Sequence, residues 1–130
     1  MNQVDASARV LELLCQTRLV VIIRLDDLGK AVQLSRALLE GGILVQEFTL
    51  SNPEALQALK DVKEALPAFR NGSASIGLGS VRNPLEAHKA LEAGAQFIVT
   101  PTTHLEVIRI CKDPSTTFGA GTCSKITSSR

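Results

Sequence analysis

Glu47 stands inside a run that otherwise reads as a buried strand, Ile43-Leu44-Val45-Gln46-Glu47-Phe48-Thr49-Leu50. A carboxylate in such a run is costly to keep unless it is paired, protonated or in use. The run follows Gly41-Gly42 and precedes Ser51-Asn52-Pro53, so Glu47 falls near the strand's C-terminal end, where parallel α/β folds build their sites. Side chains alternate along a strand. Ile43, Val45, Glu47 and Thr49 therefore share one face, and Leu44, Gln46, Phe48 and Leu50 the other. The bulky Leu44, Phe48 and Leu50 suit a layer under helices, which in a barrel turns Glu47 and Thr49 toward the axis. Desolvation raises a carboxyl pKa and suits it to general acid or base work near neutrality. The competing reading is structural, with Glu47 paired to a neighbour.

Arg24 is the candidate neighbour. It closes the apolar run Leu19 to Ile23, and a guanidinium there either pairs with Glu47 or holds a substrate carboxylate or phosphate. Gly79-Ser80 follows a third strand and Pro101-Thr102-Thr103 a fourth, at the same end. Ser80 offers a hydrogen bond to a bound oxyanion or is a plain loop residue. His88 falls mid-helix and reads as solvated; His104 lies near the fourth strand's mouth and is a weaker candidate.

The elements that position these residues alternate in period. Asp5 to Gln16 reads as a helix and Leu19 to Ile23 as a buried strand. Asp26 or Asp27 is placed to cap a helix running to about Glu40, ended by Gly41-Gly42. The Glu47 strand follows. Asn52-Pro53 and Asn83-Pro84 both read as a cap followed by proline at the first helical position, for helices ending near Leu66 and Gly94. Ala68 to Ser73 reads as a loop, Ala74 to Leu78 and Gln96 to Thr100 as strands, and Thr102 or Thr103 as the cap of a helix to about Lys112. Ser115 to Phe118 is a candidate fifth strand, and Gly119 to Arg130 is a Ser/Thr/Gly-rich tail without strand pattern around Lys125. Four βα units in succession predict a parallel sheet with right-handed crossovers, in one domain spanning residues 1–130. The joints Ala37–Ile43 and Ala90–Gln96 resemble each other, either as an internal repeat of barrel type or as two glycine-capped helix ends.

Bulk properties exclude several classes. The 130 residues carry 14 basic and 13 acidic groups, well mixed, for a net charge of +1, so no basic face points to nucleic acid. Four Phe and no Trp or Tyr leave no base-stacking platform. Cys15, Cys111 and Cys123 are scattered, without a CxxC pair, and read as reduced thiols of a cytoplasmic protein; no metal site is expected. No signal peptide or membrane span is expected. After Ile23 the chain reads Arg24-Leu25-Asp26-Asp27 with no glycine until Gly29, which counts against a dinucleotide site; Gly77-Leu78-Gly79 is only a weak GxG. Pattern alone leaves both an open doubly wound sheet and a (β/α)8 barrel.

Three segments resemble one family. Glu40-Gly41-Gly42-Ile43 with Gln46-Glu47-Phe48-Thr49-Leu50-Ser51-Asn52 is similar to the second-strand motif of the 2-keto-3-deoxy-6-phosphogluconate / 4-hydroxy-2-oxoglutarate aldolases. Ile76 to Val81 with Asn83-Pro84 resembles the third-strand motif, and Glu92 to Pro101 the fourth. Gly119 to Thr122 and Ile126 faintly echo the fifth-strand joint. The resemblance covers about residues 18 to 112. It implies a (β/α)8 TIM barrel, here partial, with about five parallel strands and an N-terminal helix. It also implies a trimer without metal or cofactor, and cleavage of a small 2-keto-4-hydroxy acid to pyruvate and an aldehyde through a lysine Schiff base.

On that resemblance Glu47 is the catalytic general acid/base, Ser80 stands near the pyruvate carboxylate where threonine is common, and Pro101 lines the pocket. Ser51 occupies a position where the family often has a carboxylate-binding arginine, a task that then falls to Arg24. The family's lysine lies on a sixth strand and its phosphate site after strands seven and eight. The 130 residues are therefore expected to lack the lysine strand and to be inactive alone, and Lys125 is not expected to be the nucleophile. The alternatives are an inactive relative serving as an interaction or oligomerisation module, and a sugar-phosphate isomerase or epimerase barrel.

Overall fold

The structure is a computed structural model that describes residues 3–112 and 124–127, with side chains placed from residue 8 to 112. Helix α1 (Gln3–Thr17) precedes strand β1 (Val21–Ile23). Then come α2 (Ala31–Glu40), β2 (Val45–Thr49), α3 (Ala55–Ala65), β3 (Ser75–Gly79), α4 (Pro84–Glu92), β4 (Phe97–Thr100), α5 (Leu105–Lys112) and β5 (Ser124–Thr127). All neighbouring strands are parallel, and their order in the sheet is the order of the chain, β1-β2-β3-β4-β5. This is the α/β layout of a partial barrel.

Binary pattern explains the two faces. Phe48, Ile76, Leu78 and Ile98 point to the helix side, where they pack with Leu59 and Val62 of α3, Ala87 and Leu91 of α4, and Val107 of α5. Phe48 is fully buried, which alone contributes about 2–3 kcal/mol of transfer free energy. The inner face is smaller. Val10 and Leu13 of α1 meet Val45 and Phe97, the first residues of β2 and β4, so α1 closes the inner face at the N-terminal ends of the strands. The Arg9 Nε donates to the Gly72 carbonyl at 2.7 Å and fastens α1 to the loop before β3.

Buried amides tie the layers together. Gln46 Nε2 donates to the carbonyls of Ser35 on α2 and Ile43, both at 3.2 Å. Gln96 accepts from the Ile76 amide at 2.9 Å and donates to the Phe69 carbonyl at 2.8 Å, filling a gap in the β3–β4 ladder. Both joints singled out for their likeness end in a left-handed glycine, Gly42 at φ 87° and Gly94 at φ 94°, which a Cβ would disfavour.

Several boundaries differ from expectation. Neither Asp26 nor Asp27 caps α2: the helix starts at Ala31 after Lys30, and Asp27 Oδ1 instead accepts from the Gly29 amide at 2.7 Å, closing a local turn that competes with helix entry. Likewise, α3 starts at Ala55 rather than Pro53, because Asn52 Oδ1 accepts from the Glu54 amide in a turn of its own. Residues Pro67–Phe69 form a 3-10 turn, not a loop, and bury Phe69. The Asn83 cap is as expected, accepting from the Glu86 amide at 2.9 Å, while Glu86 accepts from the Arg82 amide. The fifth strand lies at Ser124–Thr127, within the tail read as patternless; its pairing with β4 supplies order that its short polar sequence does not announce. The candidate strand at Ser115 to Phe118 lies outside the described residues. Among the described residues no helix is long and apolar enough to cross a membrane.

Candidate active site

Parallel connectivity brings the C-terminal ends of all strands to one side, and with them every candidate. Glu47 belongs to β2, in register with Ile22 of β1 and Gly77 of β3. It is 3% exposed. Among the described residues no hydrogen bond and no ion pair within 4 Å holds its carboxylate. Burial strips the carboxylate of water and pushes its pKa up to about 7, against the opposing pull of the Arg24 guanidinium. Such a carboxyl is partly protonated at neutrality and can both accept and return a proton.

Arg24 follows β1 at the same end and is exposed. It acts on Glu47 through its field alone, so the structural pairing that the sequence left open is not formed. Together with Leu25, Asp26, Ser51, Asn52, Pro53 and Glu54 it lines a cleft of about 450 Å³ between the loops after β1 and β2. Ser51 Oγ and Thr49 Oγ1 hydrogen-bond at 2.7 Å on the cleft's β2 side. Ser80 follows β3 and is half-buried, with its backbone in the left-handed region at φ 58°. For a residue with a Cβ that conformation costs on the order of 1–3 kcal/mol, and such outliers concentrate at functional sites. Pro101 follows β4 and is exposed at the mouth.

Two features of the site went unread in the sequence. In the sequence Asn52 reads as a helix cap, yet its Nδ2 donates to the carbonyls of Leu25 (2.8 Å) and Asp26 (3.1 Å), latching the loop after β1 to the loop after β2. Gly79, half of a weak GxG, lies directly under the Glu47 carboxylate. A buried acid beside a strand with glycine at alternate positions was the only available signal.

His104 is half-buried at the start of α5, with its Nδ1 buried and unpartnered, and His88 is half-buried on α4. Lys63 has its pKa lowered, by burial first and by Arg70 second, a property Schiff-base lysines share. However, its Nζ donates to the Gly94 carbonyl at 2.8 Å, in the turn leading into β4, which is the opposite end of the sheet from the mouth. Lys125 stands in register with Ile98 of β4. Among the described residues no three of His, Cys, Asp and Glu come together as a metal set.

The fold and site define a parallel βα-barrel arrangement with a buried acid at the strand mouths. Residues 10–128 match the family model for KDPG and KHG aldolase, and the chain belongs to that family. It is 30% identical over 123 residues to the 2-dehydro-3-deoxy-phosphogluconate aldolase of Pseudomonas aeruginosa, covering 95% of this chain and 54% of that protein. It is 35% identical over 82 residues to the KHG/KDPG aldolase of Escherichia coli K12, covering 63% of this chain and 36% of that one. The chain thus spans about half or less of these relatives' length. The crystal structure of the Legionella pneumophila KDPG aldolase, with pyruvate captured as a covalent carbinolamine, superposes with a TM-score of 0.63 at 33% identity, covering 73% of this chain and 44% of that one.

Proposed function

We propose that these residues form the acid/base half of a class I aldolase site that cleaves 2-keto-3-deoxy-6-phosphogluconate or 4-hydroxy-2-oxoglutarate to pyruvate and an aldehyde. The observation that carries this reading is Glu47, buried at the strand mouths without an ion-pair partner among the described residues, its pKa pushed up to about 7 by that burial. In that chemistry a lysine amine adds to the C2 carbonyl of the keto acid, and loss of water leaves an iminium. Glu47 takes the proton of the C4 hydroxyl as the C3–C4 bond breaks, releasing the aldehyde and leaving an enamine. Reprotonation at C3 and hydrolysis then free pyruvate and the lysine. Arg24 and Ser80 hold the keto-acid carboxylate, Arg24 standing in for the arginine absent at Ser51, and Pro101 lines the pocket. No metal or cofactor takes part. A cytoplasmic homotrimer is the form we propose for the assembled enzyme.

None of the lysines with described side chains, Lys30, Lys60, Lys63, Lys89 and Lys112, figures among the charges acting on Glu47. We propose that the 130 residues alone do not turn over. The test pairs them with a fragment supplying the second half of the Pseudomonas relative and treats the mixture with pyruvate and borohydride. One lysine of the added fragment is expected to become labelled, with aldol cleavage restored and reduced about 10²–10⁴-fold by Glu47→Gln. Labelling of any lysine in the 130 residues alone, or none in the mixture, overturns the proposal.

A further inference from the structure

The inner face of β3 is nearly bare, and its neighbours fill it. A methyl on Gly77 would meet the Phe97 ring at 2.5 Å, and a methyl on Gly79 would fall on Glu47 Oε1 and within 2.6 Å of its Cδ. Neither glycine has a left-handed φ, so the backbone would accept a larger residue at both; the space is what forbids it. The two glycines divide the face, with Phe97 across the lower one and the Glu47 side chain across the upper.

We infer that Gly79 is a positioning residue for Glu47, whose carboxylate occupies the space over β3 that the missing side chain leaves. The inference rests on the acid/base reading of Glu47 for its functional meaning. A Cβ at position 79 displaces the carboxyl from its slot toward the open mouth, where water reaches it. The slot thus fixes both where the proton is exchanged and how far the acid is shielded.

A double-mutant cycle on the 130-residue chain tests this without turnover. At pH 4, where the carboxyl is protonated and its release to water gains little, Gly79→Ala is expected to weaken the folding equilibrium about three- to tenfold when Glu47 is present, the clash falling on the end of a side chain that can move. In a Glu47→Ala chain the same change is expected to cost less than threefold, because the clash is gone. Loss of folding in Gly79→Ala with rescue in the Glu47→Ala/Gly79→Ala double variant supports the inference equally. Equal losses in both backgrounds overturn it. As a second readout, the carbon-13 signal of the Glu47 carboxyl is expected to titrate near 7 in the starting chain and distinctly lower in Gly79→Ala. An unchanged midpoint overturns the inference. Because neither readout needs a lysine or a substrate, a failed pyruvate-trapping experiment leaves the cycle's outcome intact, and the reverse also holds.

Discussion

At the residue scale the molecule turns on one carboxyl. Folded Glu47 holds its proton more tightly than the unfolded chain does, titrating at about 7 rather than 4.5. Its burial therefore carries no electrostatic penalty below about pH 4.5, and stability falls as pH rises from there through 7. Glu47→Gln removes that dependence. At pH 8 the variant is expected to be more stable by on the order of 2 kcal/mol, less than the full shift because water at the open mouth screens part of it. Near pH 4 the two chains are expected to unfold alike, and urea titrations at both pH values measure the difference. Glu47 was legible in the sequence because a charge interrupts an apolar run at a fixed parity. Gly79 was not, since which side chain crosses over a strand is decided by the neighbouring strand's register.

At the element scale, loops carry the site and caps hold the loops. Asn83→Ala deletes the α4 cap and is expected to cost about 1 kcal/mol, read by thermal or urea unfolding. Asn52→Ala deletes the latch between the loops after β1 and β2 and is expected to cost about 1–2 kcal/mol. The two differ in a way hydrogen exchange can see. Asn52→Ala is expected to speed exchange at the Glu54 amide, which loses its acceptor, while leaving the Glu86 amide protected. Both residues precede proline in the same sequence pattern, yet only one begins a helix. The pattern cannot tell a cap from a latch, because the latch's partners, Leu25 and Asp26, lie 26 to 27 residues away. The Asp27 turn has a related cause: its side chain satisfies the nearer Gly29 amide instead of a helix end.

At the scale of the whole molecule, β1 has no strand on its outer side among the described residues, and Leu19, Ile22 and Leu25 are exposed along it, Ile22 at 55%. An apolar, unpaired edge favours association. The 130 residues alone are expected to self-associate, and Ile22→Lys is expected to shift the distribution toward monomer, measured by sedimentation velocity. A monodisperse monomer in the unsubstituted chain would contradict this. The parallel layout was readable from four successive βα units, since their alternating periods leave few other topologies. The last strand was not readable: Ser-Lys-Ile-Thr gains its extended form from β4, and no local preference marks it.

The sheet's order also bears on how the chain acquires its shape. Because β1 to β5 lie side by side in the order in which a ribosome makes them, each new βα unit meets its partner already waiting. Every strand pairs with the one before it, and from β1 to β4 closing each contact spans little more than one helix and its flanking turns, which keeps the entropic toll of loop closure small. Growth of the sheet can therefore be vectorial, one unit docking on the last during translation. The acid at position 47 would then be buried as soon as β3 docks on β2, well before the rest of the mouth around it is complete.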